Sequence, residues 1–580
     1  MSEFSSSTHS SDEPTGNREV SPDPRADGDA SDRSRSERDK ARRRRIGPWH
    51  EDMLPDLSSF EGDRNFVVRA AAGSGKTTSL VARMVALIRQ GDAQASELAA
   101  ITFTRKAAGE MEGRFHKELR RARFLLRTAL GKPNGRLDPD LRDEIGEDLT
   151  PEGAVETDAP RAELAEQLRR VENALDSVQQ TFIGTVHAFC GRILREHAFE
   201  ADLPPDFAVG IDDREFEQLQ HRVWDRYVTE SRRERPELME ELDTLGLPPE
   251  DLTGLFETAS HYPELRLYKN APDELPDLSP HVERAREFVE TWQAIRPDPP
   301  VAERHKAQRA LDKAEGLMTS RPLTSPAQQA KFLQMVRSGA KDDGTGNLYY
   351  SRWGESGSDS YEAAKDLKNE AYPALCEAID PDLNAWKAYA HEQAARFVEP
   401  AAKEFLERRR EEGQLTHHDV LYWTRTLLRK HPEIREDVLQ RSPRLLVDEF
   451  QDTDPLQAEI LFYLTAQDPE ETDWRNCQPR PGSLFIVGDD KQSIYRFRRA
   501  DIDVFREVSR QIVRAGGDEI SLYRNFRSHG QILDFCDEAF EEIFAGPALP
   551  EDGDAGDSSP EDRMYRDAQA DYEAFINERP

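Results

Sequence analysis

The sequence predicts an α/β fold, with a parallel sheet covered by helices on both faces and a long helical stretch inserted into it. Three observations predict this. Short apolar runs alternate with helix-length periodic segments on both sides of the chain's middle. A glycine-rich loop joins the first apolar run to the first helical segment. Between about Phe207 and Glu412 the pattern is helical, broken by Pro- and Gly-rich loops such as Ser338–Ser360.

Each element follows from its composition. Residues 1–45 are rich in Ser, Asp, Arg, Pro and Gly, with hardly an apolar side chain, and are expected to be disordered. The run Arg42–Arg45 suits nucleic-acid contact or the solvated start of a helix. Asn65–Arg69 is an apolar strand, followed by the loop and a helix over Thr77–Arg89. Leu98–Phe103 is a second strand and Ala107–Leu130 a long helix; Pro139–Pro160 is a polar loop. Ala162–Val178 is an amphipathic helix with a solvated charged face. Strand Thr181–Ile183 and helix Val186–His197 complete this half. Strands return at Leu445–Val447, Ser483–Val487 and Asp518–Leu522, and the tail from Gly546 is acidic and loop-like. The expected domains are 46–206 and 413–517 as two parts of one sheet domain, 207–412 as a helical insertion, and 518–580 as the start of another domain.

With 580 residues the chain is too long for a single core. No apolar run approaches the roughly 20 residues needed to span a bilayer, and the N-terminus has no hydrophobic signal core, so a cytoplasmic location without membrane contact is expected. The four cysteines, Cys190, Cys376, Cys477 and Cys536, are scattered and read as reduced core thiols. The net charge of −34 has two readings: avoidance of polyanions, or an acidic surface suited to high salt. Under the second, a nucleic-acid partner is possible only if its track is built locally from arginines and aromatic rings.

The segment Ala70-Ala71-Ala72-Gly73-Ser74-Gly75-Lys76-Thr77 lies between strand and helix, the context that marks a phosphate-binding loop. Gly73 and Gly75 let the backbone wrap a phosphate, Lys76 reaches the β- and γ-phosphates, and Thr77 ligates Mg²⁺. Arg444–Asp454 is an apolar strand delivering acids at its carboxyl end, where ligands of parallel sheets bind. Asp448 is placed to hold Mg²⁺ and Glu449 to orient or deprotonate water; Asp452 or Thr453 is placed to cap the helix Pro455–Leu464. After the next strand, Gln492 can sense the γ-phosphate, and Tyr495, Phe497 and Arg498 suit either base stacking or core packing. Thr416-His417-His418-Asp419 invites a metal reading, against which stands an ordinary packing or surface role.

Taken in order, six segments resemble the motifs of the UvrD/Rep/PcrA group of superfamily 1 DNA helicases, and especially its RecB/AddA helicase–nuclease branch. They are AAAGSGKTT (70–78), ITFTRKAAGEM (101–111), FIGTVHAFCGRIL (182–194), LLVDEFQDTDPLQ (445–457), VGDDKQSIYRFRRAD (487–501) and SLYRNFRSHGQIL (521–533). The resemblance implies a RecA-like first domain carrying a helical accessory insertion, ATP with Mg²⁺ as cofactors, and 3′ to 5′ movement on single-stranded or partly duplex DNA in repair or recombination. It implies that residues 70 through Thr78 hold nucleotide, Phe526 stacks on adenine and Arg527 contacts the γ-phosphate. Phe103, Thr104, Thr185, His187, Tyr495, Phe497 and Arg498 would lie along DNA, and Gln492 would link nucleotide state to it.

Two departures stand out. Residues 46–64 hold no glutamine of the kind that reads adenine, and nothing from Gly546 to Pro580 resembles the family's last two motifs. The expectation is therefore a second polypeptide that completes the motor and brings a nuclease, or a truncated product that binds ATP and DNA.

Overall fold

The computed structural model describes residues 62–132, 160–265, 267, 271–295, 306–320, 322–347, 355–522, 525, 527, 528, 532 and 535. The expected N-terminal tail, almost all of the Pro139–Pro160 loop, the tail from Gly546, Phe526 and Cys536 lie outside them.

Six strands form a single parallel sheet: β1 (Phe66–Ala70), β2 (Leu98–Thr102), β3 (Phe182–Thr185), β6 (Arg444–Val447), β7 (Leu484–Gly488) and β8 (Asp518–Leu522). Two further short strands, β4 (Ala208–Val209) and β5 (Gln414–Leu415), pair with each other in parallel. The order across the large sheet is β3-β2-β6-β7-β1-β8. Side-chain alternation along each strand feeds two cores, one on each face. Val67, Ala99, Ile101, Leu445, Val447, Leu484 and Ile486 enter one core. Phe66, Val68, Leu98, Ala100, Leu446, Phe485 and Val487 enter the other.

The second core is closed by α1 (Lys76–Gln90), α2 (Arg105–Ala129) and α3 (Arg161–Ser177). In α3 the apolar stripe Leu164, Leu168, Val171 and Ala174 is buried, which leaves its charged residues outward. Opposite lies α4 (Val186–Glu196). Eight helices, from α5 (Asp213–Glu234) to α12 (Tyr372–Glu411), follow among the described residues and make two cores of their own. The 40-residue α12 is shared by both and acts as their spine. The chain leaves for these helices after β4 and returns at β5, where Ala208 N–H donates to Gly413 O and Gly210 N–H to Leu415 O, both at 2.8 Å. Then α13 (His417–Lys430), α14 (Pro432–Arg441), α15 (Pro455–Thr465) and α16 (Ile502–Arg514) cover the first core.

Two expectations are corrected. Asp518–Leu522, assigned from sequence to the next domain, is the edge strand of the first sheet, paired with β1 from Phe66↔Asp518 to Ala70↔Leu522. Its half-polar pattern reads as a domain start, but an edge strand is covered less and tolerates that pattern. The cap of α15 is Asp454, whose carboxylate accepts from Leu456 N–H at 2.7 Å, and not Asp452 or Thr453. The helix begins at Pro455 as expected, so the N-cap position falls on Asp454, while Phe450–Asp452 form a separate 3₁₀ turn ahead of it.

The His-His-Asp segment disperses. Asp419 is fully buried, pairs with Arg409 at 2.7 and 2.9 Å, and shares a capping box with Thr416. His418 meets Glu264 at 2.9 Å and His417 lies edge-on to His187. The three side chains serve three different neighbours. Cys190, Cys376 and Cys477 are free and buried.

Candidate active site

The chain order places the loops after β1, β6 and β7 side by side, because β7 lies between β6 and β1 in the sheet. This is the point where the strand order changes direction, and the carboxyl ends open a crevice there. The phosphate-binding loop follows β1, and both of its glycines have positive φ, +73° at Gly73 and +93° at Gly75. The Ser74 hydroxyl donates to Ala71 O at 2.7 Å and closes the turn. Helix α1 begins at Lys76, so its unpaired amide groups point into the loop.

Five side chains from three loops form a closed circuit. Lys76 Nζ lies 2.7 Å from Glu449 Oε2 and donates to Gln492 Oε1 at 3.0 Å. Gln451 Nε2 donates to Glu449 Oε2 at 2.6 Å, and Asp489 N–H donates to Gln451 Oε1 at 2.9 Å. Gln492 Nε2 returns to Asp489 Oδ2 at 2.5 Å. Gln451 and Asp489 were not singled out from sequence; their only signal was polar side chains beside the acidic pair and after the next strand. Glu449 has φ +52°, a strained value for a residue with a side chain, and such strain gathers at functional sites.

Thr77 Oγ1 donates to Asp448 Oδ2 at 2.9 Å. Burial, and then the adjacent Glu449 carboxylate, push the Asp448 carboxyl up to about 6, against the Thr77 hydrogen bond and Lys76. The same two causes push Asp452 up to about 6, and its Oδ1 is buried without a hydrogen-bond partner. A hydroxyl and a carboxylate in contact, within crowded acid, are a hard-oxygen set that suits Mg²⁺.

Asn525 was also missed. Its side-chain amide donates to Ala72 O at 2.7 Å, and its oxygen accepts from Arg527 N–H at 2.9 Å and Ser528 N–H at 2.8 Å. This fastens the segment after β8 onto the phosphate loop. Arg527 is held so close that a Cβ added at Gly73 would meet its Cβ at 2.8 Å.

The residues expected along DNA separate into two groups. Phe103, after β2, meets Tyr495, after β7, with ring centroids 5.2 Å apart. Tyr495 meets Phe497 at 5.7 Å, and the Arg498 guanidinium lies 5.6 and 5.8 Å from the two centroids. Phe497 is 77% exposed and neighbouring Ile494 70%, so this ring cluster is a surface feature and not core. Thr104 and Thr185 instead cap α2 and α4, accepting from Ala107 N–H at 3.1 Å and Ala188 N–H at 3.2 Å. His187 packs edge-on to His417 at 5.7 Å; burial, then His417 and His418, lower its pKa to about 4.

The chain matches the family model of the UvrD/REP helicase N-terminal domain over residues 58–512. It is 26% identical over 523 residues to an ATP-dependent helicase/nuclease subunit from Enterococcus faecalis, covering 83% of this chain and 38% of that protein. It is 28% identical over 552 residues to the protein of the same name in Geobacillus kaustophilus, covering 85% and 39%. The exonuclease/helicase subunit RexA of Lactococcus lactis is 24% identical over 520 residues, covering 83% and 39%. The chain thus spans about two-fifths of the length of the curated relatives it matches. With the match running through the phosphate loop, the acidic strand end and the ring cluster, the chain belongs to the UvrD/REP helicase N-terminal domain family.

Proposed function

We propose that this chain carries the ATP-binding half of a DNA helicase motor that moves 3′ to 5′ along single-stranded DNA in repair or recombination. The observation that carries the reading is the circuit linking Lys76, Glu449 and Gln492, with Gln492 three residues from the half-buried Tyr495 and five from the exposed ring of Phe497. Nucleotide contact and strand contact are thereby built on the same short loop.

In this reading the amide groups of residues 70–78 wrap the phosphates, and Lys76 exchanges its protein partners for phosphate oxygens. Thr77 and Asp448 would hold Mg²⁺, which supplies charge neutralisation at the phosphates when bound. Glu449, freed of Lys76, accepts the proton of the attacking water. Gln492 reports the change to Tyr495, Phe497 and Arg498, which grip bases by stacking with Phe103. Arg527, held by Asn525, approaches the γ-phosphate from the far side of the loop, and Phe526 stacks on adenine. The single-stranded and partly duplex DNA substrates, and a partner polypeptide acting with a nuclease, are read from the relatives' description as helicase/nuclease subunits.

ATP hydrolysis measured with and without single-stranded DNA tests this. The expected result is DNA-stimulated turnover that Lys76→Ala abolishes. Turnover that survives Lys76→Ala would remove the phosphate loop from the mechanism.

A further inference from the structure

Arg499 stands directly after the exposed segment Tyr495–Arg498 with φ +67°, in the left-handed region. A residue with a side chain is strained there, and only its surroundings can hold it. Those surroundings come from three parts of the chain. Arg499 Nη1 pairs with Glu264, which belongs to the helical insertion. Arg499 Nε lies 3.4 Å from Asp454 Oδ2, the cap of α15 that follows the acidic strand end. The guanidinium also stacks on Tyr262, 4.7 Å from its centroid.

These partners are themselves fixed. Glu264 Oε2 meets His418 Nε2 at 2.9 Å, and Tyr262 lies edge-on to His418 at 5.2 Å. The carboxylates are shielded, with Glu264 9% and Asp454 8% exposed, so salt screens these pairs weakly. On its other side Arg499 is locked to the ring segment through backbone. Arg498 N–H and Ala500 N–H both donate to Tyr495 O, at 2.7 and 3.2 Å, and Arg499 N–H donates to Arg496 O at 2.9 Å. A rotation at Arg499 therefore swings Tyr495 away from Phe103.

We propose that Arg499 is a positioning residue: by binding Glu264 and Asp454 together, it holds the Tyr495–Arg498 grip in register with the helical insertion and the acidic strand end. This rests on the reading of Tyr495 and Phe497 as a platform for single-stranded DNA. The side chains of Arg499 and Glu264 meet each other, Asp454, His418 and Tyr262, all outside the phosphate loop. Their effect is expected in strand affinity and its dependence on nucleotide, not in nucleotide affinity.

The test uses the full chain, a fluorescein-labelled oligo(dT) followed by anisotropy, and a fluorescent non-hydrolysable ATP analogue. Arg499→Gly relieves the strain while removing the guanidinium. It is expected to weaken oligo(dT) binding by about tenfold, the scale of one misplaced stacking ring. The difference in oligo(dT) affinity caused by the ATP analogue is expected to vanish, with analogue affinity unchanged. Arg499→Lys is expected to restore much of the binding, and Glu264→Gln to reproduce the loss. General destabilisation would lower analogue affinity and melting temperature together and would overturn the proposal, as would parent-like oligo(dT) binding by both Arg499→Gly and Glu264→Gln. Tyr495→Ala with Phe497→Ala is the control for the underlying reading. If that pair binds oligo(dT) as the parent does, the platform itself is wrong; if only the Arg499 and Glu264 variants do, the platform stands and the positioning role falls.

Discussion

Lys76 Nζ and Glu449 Oε2 lie 2.7 Å apart, so the loop after β1 is tied to the acidic end of β6. Under the proposed function, triphosphate binding breaks this pair and releases the carboxylate as its substrate arrives. Glu449→Gln keeps the size and a hydrogen bond to Lys76 but cannot take a proton. Nucleotide binding is expected to persist and kcat to fall by about 10²–10⁴. Equilibrium binding of a fluorescent ATP analogue and a phosphate-release assay separate the two; lost binding would make Glu449 structural.

The ring cluster predicts a loss confined to nucleic acid. Tyr495→Ala with Phe497→Ala should cost about 1–3 kcal/mol per stacked base in single-stranded DNA affinity. Phe497 is largely exposed, so the fold has little to lose from its removal. Anisotropy titrations beside a thermal melt check both halves of the statement.

Asn525 joins the segment after β8 to the phosphate loop through one hydrogen bond to Ala72 O, while its oxygen accepts from the Arg527 and Ser528 N–H groups of its own segment. Asn525→Ala frees Arg527 and leaves two amide groups without that acceptor. Nucleotide affinity is expected to fall roughly fivefold to tenfold, from about 1 kcal/mol of lost hydrogen bonding. Gly73→Ala should be worse, since its Cβ would strike Arg527 at a φ of +73°. Isothermal titration with ATP analogue ranks the two; an Asn525→Ala variant with parent affinity would detach this segment from the site.

His187 gives a pH dependence with a definite sign. Its folded pKa of about 4 is below the ordinary 6.5, so the unfolded chain takes up this proton first as pH falls. Stability from this group is complete above pH 6.5 and drains away as pH drops through about 4. His187→Asn should flatten the melting-temperature profile across that window, by roughly 2–4 °C. Parallel profiles for parent and variant would show that His187 carries no such burden.

The acidic surface predicts that salt stabilises. With a net charge of −34, screening by KCl should raise the melting temperature between dilute and molar salt. A flat or falling curve would leave the charge without a high-salt role.

The sheet and the loops at its carboxyl edge were legible because their signals are local. A continuous apolar run such as Leu445–Val447, or Gly-Lys-Thr after a strand, needs no knowledge of distant residues. What was hidden depends on partners far away in sequence. Asp518–Leu522 has too few apolar residues to announce that β1 lies beside it. Gln451, Asp489 and Asn525 are ordinary polar residues until the fold brings Lys76 and Ala72 to them. Thr104 and Thr185 sit within DNA-motif segments, yet the structure shows each engaged as a helix cap. Helices α13 and α16 also went unnoticed, α13 behind its histidines and α16 behind its charges.

The β4–β5 pair has a consequence for how such a chain diversifies. The polypeptide departs and re-enters within one strand spacing, about 4.8 Å, and the helices between possess their own two cores. A graft at that seam leaves the hydrogen-bonded register of the large sheet untouched. A change of this cassette has to keep the charged ties that fasten it to the sheet domain, Arg499–Glu264, His418–Glu264 and the buried Arg409–Asp419 pair.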